Sequence, residues 1–180
     1  RQYSESRYKE LVQQIKNMSK KILYLLLISF IVIQFFQINK TPSNALSGDI
    51  KTKYSVSESL DKTLKVACND CHSNETKYPW YASIQPIGWW LQAHMNEGKK
   101  HLNFSNFTER RIAYQNHKFE EIIEMVEKKE MPIPSYTWLG LHPEAKLTDP
   151  QRQEIIDWAK SNMSLLSSTY PPDSLVLKRN

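Results

Sequence analysis

The chain has 180 residues and a mass of 21.2 kDa, with 40% hydrophobic and 24% charged residues, the size and balance of one globular domain. Its formal charge of +5 lies wholly in residues 1–40, because the 17 basic and 17 acidic residues that follow cancel; this argues against the basic face of a nucleic-acid-binding domain. Glycine is scarce, at 4 residues, and neither G-x-G-x-x-G nor G-x-x-x-x-G-K-[ST] occurs, which removes the signal for a nucleotide-binding loop.

Residues 1–21 are polar and are expected to form a short cytoplasmic segment. Met18-Ser19-Lys20-Lys21 looks like a natural start, with residues 1–17 as an upstream extension. Ile22 to Ile38 carries no formal charge over 17 residues, with Ser29, Gln34 and Gln37 as its clearly polar members. That length meets the lower limit of about 17 apolar residues for a bilayer span. Lys16, Lys20 and Lys21 lie on its N-terminal side, so the positive-inside rule puts residues after 40 outside the cytoplasm. Gln37 to Pro42 contains no small-residue cleavage site, which favours an anchor over a cleaved signal peptide. The expectation is a single-pass protein of a bacterial inner membrane, its 22–38 helix transmembrane and its domain facing the periplasm.

Residues 39–56 read as a polar linker and 57–163 as the folded domain. Ser57 is placed to cap a helix whose apolar face holds Leu60, Leu64 and Ala67 or Cys68. A loop over 73–85 leads to a helix over 86–97, with Pro86 in its first turn and Gly98 as its C-cap. Ser105 or Asn106 opens the next helix, with Glu109 in capping-box position. Its apolar spacing is Ile112, Phe119, Ile122, Ile123 and Val126, with a break near Asn116-His117 and an end at Lys128 to Glu130. Thr148, Pro150 and Gln151 start a last helix that buries Ile155, Trp158 and Ala159. Residues 164–180 read as a loose tail. No strand pattern stands out, so the fold class is all-α.

The chemistry concentrates in Cys68-Asn69-Asp70-Cys71-His72. A C-x-x-C-H run reads as a covalent attachment site for haem c. Two thiols three residues apart on one helical turn can add to the two vinyl groups of one porphyrin, and the adjoining His72 then supplies an imidazole nitrogen to the iron. Both cysteines of the chain are in this run. A redox dithiol would want a βαβ setting, and a zinc site would want a second C-x-x-C or an H-x3-5-H pair; neither pattern is present. Five Trp and nine Tyr suit a small domain that covers a large flat ligand.

Met131 is the candidate for the second axial position. It follows a helix end and precedes Pro132, which biases its backbone towards an extended shape, and a thioether ligand raises the potential relative to two histidines. His94, His101, His117, His142 and Met95 are the alternatives, as is an open position. Lys77, Lys99, Lys100, Arg110 and Arg111 are candidates to neutralise the haem propionates.

The run from Cys68 to Tyr81, then Ile84 to Pro86, Trp89, Trp90, His94, Gly98 and Leu102 to Ser105, resembles the bacterial haem-binding-domain family of small C-x-x-C-H proteins. Met131-Pro132, Tyr136, His142-Pro143, Ala145 to Leu147 and Trp158 are similar as well, so the resemblance spans about residues 55–162. It implies a membrane-anchored or exported monohaem c-type protein: a small cytochrome c-like helical domain around one covalent haem, preceded by a transmembrane helix. The expected function is single-electron transfer with periplasmic or membrane-bound redox proteins, a carrier rather than an enzyme. The alternatives are a peroxidase-like enzyme or gas or redox sensor with an open iron site, and a haem-free dithiol oxidoreductase.

Overall fold

The computed structural model describes residues 2–40, 47–137 and 140–177. Among them are eight α-helices and no strand: α1 Gln2–Ile33, α2 Glu58–Ala67, α3 Asn69–His72, α4 Ile87–His101, α5 Ile112–Glu127, α6 Pro134–Thr137, α7 Asp149–Thr169 and α8 Pro172–Leu175. The chain divides into two compact units, Arg1–Asn39 with Pro79–Gln92 and Lys40–Tyr78 with Ala93–Asn180.

In the first unit, α1 is long but its apolar part is short. The helix ends at Ile33, and glutamines beyond it bond to distant backbone. Gln34 donates to the carbonyls of Phe30 at 2.9 Å and Gln85 at 3.0 Å, and accepts from the Gln85 N–H at 2.9 Å. Gln37 donates to the Ser83 carbonyl, and the Trp89 indole to that of Phe36. The helical apolar stretch is therefore Ile22 to Ile33, about 18 Å at 1.5 Å per residue, whereas a bilayer core is about 30 Å thick. No helix among the described residues is long and apolar enough to cross a membrane. This corrects two expectations from the sequence: the transmembrane helix over 22–38, and the single-pass inner-membrane placement that depended on it.

In the second unit, α5 packs along α7, and α8 against both. Phe119 sits at the centre, with Tyr54, Phe107 and Trp158 around it at ring-centroid distances of 4.9, 5.2 and 5.5 Å, all edge-to-face, the arrangement that aromatic quadrupoles favour. The Tyr54 hydroxyl donates to the buried Gln115 side chain, and the Trp158 indole N–H to the Ser55 carbonyl at 2.9 Å. Ile50 and Tyr54, inside the stretch read as linker, are thus core residues; positions 41–46 of that stretch lie outside the described residues. The expected tail contributes too: α7 runs to Thr169, Leu166 is buried, and Tyr170 and Leu175 pack on the core.

The helix starts follow the capping chemistry. Ser57 Oγ accepts the Leu60 N–H at 3.0 Å, and Thr148 and Gln151 form a reciprocal capping box. Helix α5 differs from expectation in two ways. A 3-10 turn over Phe104–Glu109 precedes it, and it runs unbroken through Asn116 and His117. His117 pairs with Glu120 and Glu121 across one turn, which keeps this polar stretch helical.

Helix α5 ends in a Schellman motif. The Glu130 N–H donates to the Met125 carbonyl at 2.9 Å and the Lys129 N–H to that of Val126 at 3.2 Å, with Lys129 at φ 60°. A side chain in that left-handed region costs about 1–2 kcal/mol, against about 0.5–1 kcal/mol of extra backbone entropy for glycine. Lys129→Gly is therefore expected to stabilise the fold by about 0.5–1 kcal/mol, read as a higher urea midpoint; a lower midpoint would contradict the strain assigned to this turn.

Candidate functional site

Helix α2 carries Leu60 and Leu64 into the core, with Thr63 buried beside them, and Ala67 and Cys68 continue that contact. At Cys68 the backbone leaves the helix (φ −126°), and the next four residues close into the single turn α3. The Cys71 and His72 N–H groups both donate to the Cys68 carbonyl, at 3.2 and 2.9 Å. The five motif residues thus wrap as one turn, with both thiols and the imidazole on a short, stiff piece of backbone. Buried Ser73 locks the exit: its hydroxyl donates to the Asn69 carbonyl and accepts the Glu75 N–H.

The ring of His72 is held from α4. Its Nδ1 lies 3.1 Å from the Gly98 carbonyl oxygen and 3.0 Å from that of Leu102, one helical turn apart. Both partners are acceptors only, so Nδ1 carries the proton and Nε2 presents its lone pair, the tautomer of a metal-ligating histidine. Burial is the main influence on its pKa and lowers it; the two carbonyl hydrogen bonds oppose this, and His101 and Lys118 lower it further. Phe104 packs beside the ring, with centroids 6.3 Å apart.

This geometry requires glycine at position 98. A Cβ there would lie 2.7 Å from the Cys71 carbonyl oxygen, a backbone atom that cannot swing aside. The sequence placed Gly98 as a C-cap, but α4 continues through it to His101. The residue is kept for close approach rather than for ending the helix.

Both thiols are free among the described residues. Burial, and then the neighbouring Cys71, pushes the Cys68 thiol up to about 12. Burial and the Asp70 carboxylate push Cys71 up to about 11, with Lys99 pulling the other way. A dithiol oxidoreductase needs the opposite, a thiol made acidic by its surroundings, so the environment of this pair disfavours the haem-free redox reading.

Met131 follows the Schellman turn, half-buried, with its N–H donating to the Met125 carbonyl at 3.2 Å. Arg152 of α7 holds the same loop from below, Nη1 donating to the carbonyls of Met131 at 3.0 Å and Val126 at 3.2 Å. The other candidate ligands have different surroundings. His101 is exposed and pairs with Glu97 at 2.8 Å, and His117 pairs with Glu120 and Glu121. His142 stacks on Tyr136, with centroids 4.2 Å apart and planes within 10°. Met95 is buried on α4, and His94 is half-buried beside it. Of the proposed propionate partners, Lys77 is exposed, and Arg110 lies over the Tyr114 ring, 4.7 Å from its centroid. In the first unit, Trp80 is 77% exposed and meets Tyr81 edge-on.

Residues 28–161 match the family described as haem-binding domain. The chain belongs to the haem-binding-domain family. No curated protein and no solved structure matches it. Haem is accordingly the cofactor of this domain, and the residues present fit it. His72 offers a neutral, oriented Nε2, and Cys68 and Cys71 flank it on the same turn. The partners that sequence reasoning missed are the Gly98 and Leu102 carbonyls, Asp70, Tyr136 and Arg152; the spacing of four between Gly98 and Leu102 was an available signal for the first pair.

Gly98→Ala tests the haem-binding domain at its tightest point. In an ordinary helix interior this change stabilises by about 1 kcal/mol. Here overpacking against Cys71 is expected to cost about 1–3 kcal/mol and to lower the urea midpoint of the haem-free chain. A raised midpoint would show that the α4–motif approach is looser than described.

Proposed function

We propose that this chain is a monohaem c-type cytochrome that carries single electrons between redox proteins. In this reading Cys68 and Cys71 each add S–H across one vinyl group of the haem. Sulfur bonds one vinyl carbon and hydrogen goes to the other, so no oxidant is consumed. His72 Nε2 and the Met131 sulfur would hold the iron. Bound haem supplies one-electron exchange at iron, and the chain supplies everything that tunes it.

The observation that carries the reading is the double carbonyl anchor of His72 Nδ1, which presents Nε2 on the same turn as the chain's two cysteines. Raised thiol pKa values weigh against dithiol exchange. The Met131 assignment is supported by a loop fixed at its start by the Schellman turn and by Arg152. A second axial ligand of this kind suits a carrier, because it leaves no open iron position for substrate. Half-buried His72 and a half-buried thioether would limit water access to the iron and rearrangement on electron transfer.

The full chain is to be expressed with an export signal and a haem-attachment system. Wild type is expected to keep its haem through denaturing electrophoresis, and Cys68→Ala/Cys71→Ala to lose it; haem that dissociates from wild type would overturn covalent attachment. Met131→Ala is expected to convert ferric low-spin haem to high-spin while covalent haem content stays unchanged. An unaltered spectrum would remove Met131 as the ligand and favour one of the histidines.

A further inference from the structure

Asp70 is a motif residue that the attachment chemistry does not specify. Thioether formation needs the two cysteines and the spacing between them, and it makes no use of a carboxylate there. The observed role of Asp70 is to accept two hydrogen bonds. Oδ1 takes the Lys77 N–H at 2.7 Å, folding the chain back after the motif, and Oδ2 takes the Tyr136 hydroxyl at 2.7 Å.

Tyr136 lies five residues after Met131, in α6. Its ring is stacked on His142, which fixes the direction of the phenol. At the other end of the segment, Arg152 and the Schellman turn hold Met131 by its carbonyl and its N–H. Residues 131–136 are therefore pinned at both ends, and the second pin is a residue lying between the two cysteines. A hydroxyl donating to a carboxylate is among the stronger hydrogen bonds of a protein, which suits a contact that must keep a loop closed.

We propose that Asp70 and Tyr136 form a latch that seats the Met131 segment on the haem-attachment motif, making both of them positioning residues for the second axial ligand. This rests on Met131 being that ligand. The latch sets how often the thioether leaves the iron, so its effect appears in ligand exchange rather than in haem attachment.

The test uses the full-length holoprotein and carbon monoxide, which binds ferrous haem only when the second axial ligand has left. Wild type, Tyr136→Phe, Asp70→Asn and Met131→Ala are compared for carbon monoxide binding rate, ferric spin state, covalent haem content and urea midpoint. Tyr136→Phe keeps the stack on His142 and removes only the donated hydrogen bond. It is expected to bind carbon monoxide roughly tenfold faster than wild type or more, the weight of one hydrogen bond to a charged group, with haem content unchanged. Met131→Ala is expected to be faster still, and Asp70→Asn to fall between wild type and Met131→Ala. Wild-type rates in Tyr136→Phe beside a fast Met131→Ala would overturn the latch while leaving the ligand assignment intact. Wild-type rates in Met131→Ala would overturn both. Should Asp70→Asn fail to take up haem, the Tyr136→Phe rate alone decides whether the latch stands. A lowered urea midpoint in Tyr136→Phe with no change in rate would assign the hydrogen bond to stability alone and reject the proposal.

Discussion

The hydrogen bonding of His72 Nδ1 to two backbone carbonyls, Gly98 of α4 and Leu102 just beyond its end, is the constraint on which the site depends. It sets the tautomer, the ring plane and the availability of Nε2 in one arrangement. It also dictates the packing around it. For carbonyls of a helix to reach that ring, α4 must pass against the backbone of Cys71, and Gly98 makes this approach sterically possible. A histidine on a freely rotating side chain would have to be ordered by the iron itself. Here the fold itself orients the imidazole ring.

Burial governs the site electrostatically. It is the largest influence on Cys68, Cys71 and His72, and in each case it favours the neutral form. A neutral imidazole suits an iron ligand, while thiols with raised pKa values are unsuited to disulfide exchange. The same burial ties the motif to the aromatic core, since Cys68 and Phe104 both belong to the region packed around Phe119. Loss of core packing and loss of the site should therefore go together. Within the unit, the Met131 loop is held through backbone carbonyls and one carboxylate, contacts that can be altered singly without emptying the core.

Much of this was legible in the sequence where local chemistry decides the outcome. Ser57, Thr148 and Gln151 cap helices as their side chains dictate, and the end of α5 falls where the apolar spacing stops. The C-x-x-C-H run pointed to haem, and the family match agrees. What was misread depended on long-range partners. Gly98 has the local signature of a helix end, yet a backbone 27 residues earlier determines its role. Ile50 and Tyr54 sit among polar neighbours and read as linker until Gln115 and Phe119 are placed beside them. The apolar run after Ile22 looked long enough to span a bilayer, but the helix ends at Ile33, and Gln34 and Gln37 bond to carbonyls 51 and 46 residues away. Asp70 and Tyr136 carry no local signal for each other, being 66 residues apart.

The anchoring of His72 is tested most directly by nitrogen-15 NMR of the holoprotein with labelled histidine, following the two ring nitrogens of His72 in both oxidation states. Nδ1 is expected to keep a slowly exchanging proton while Nε2 carries the strong paramagnetic shift of an iron-bonded nitrogen in the ferric form. A His72 ring with no such shift, or with Nδ1 bonded to the iron, would contradict the anchored-imidazole site.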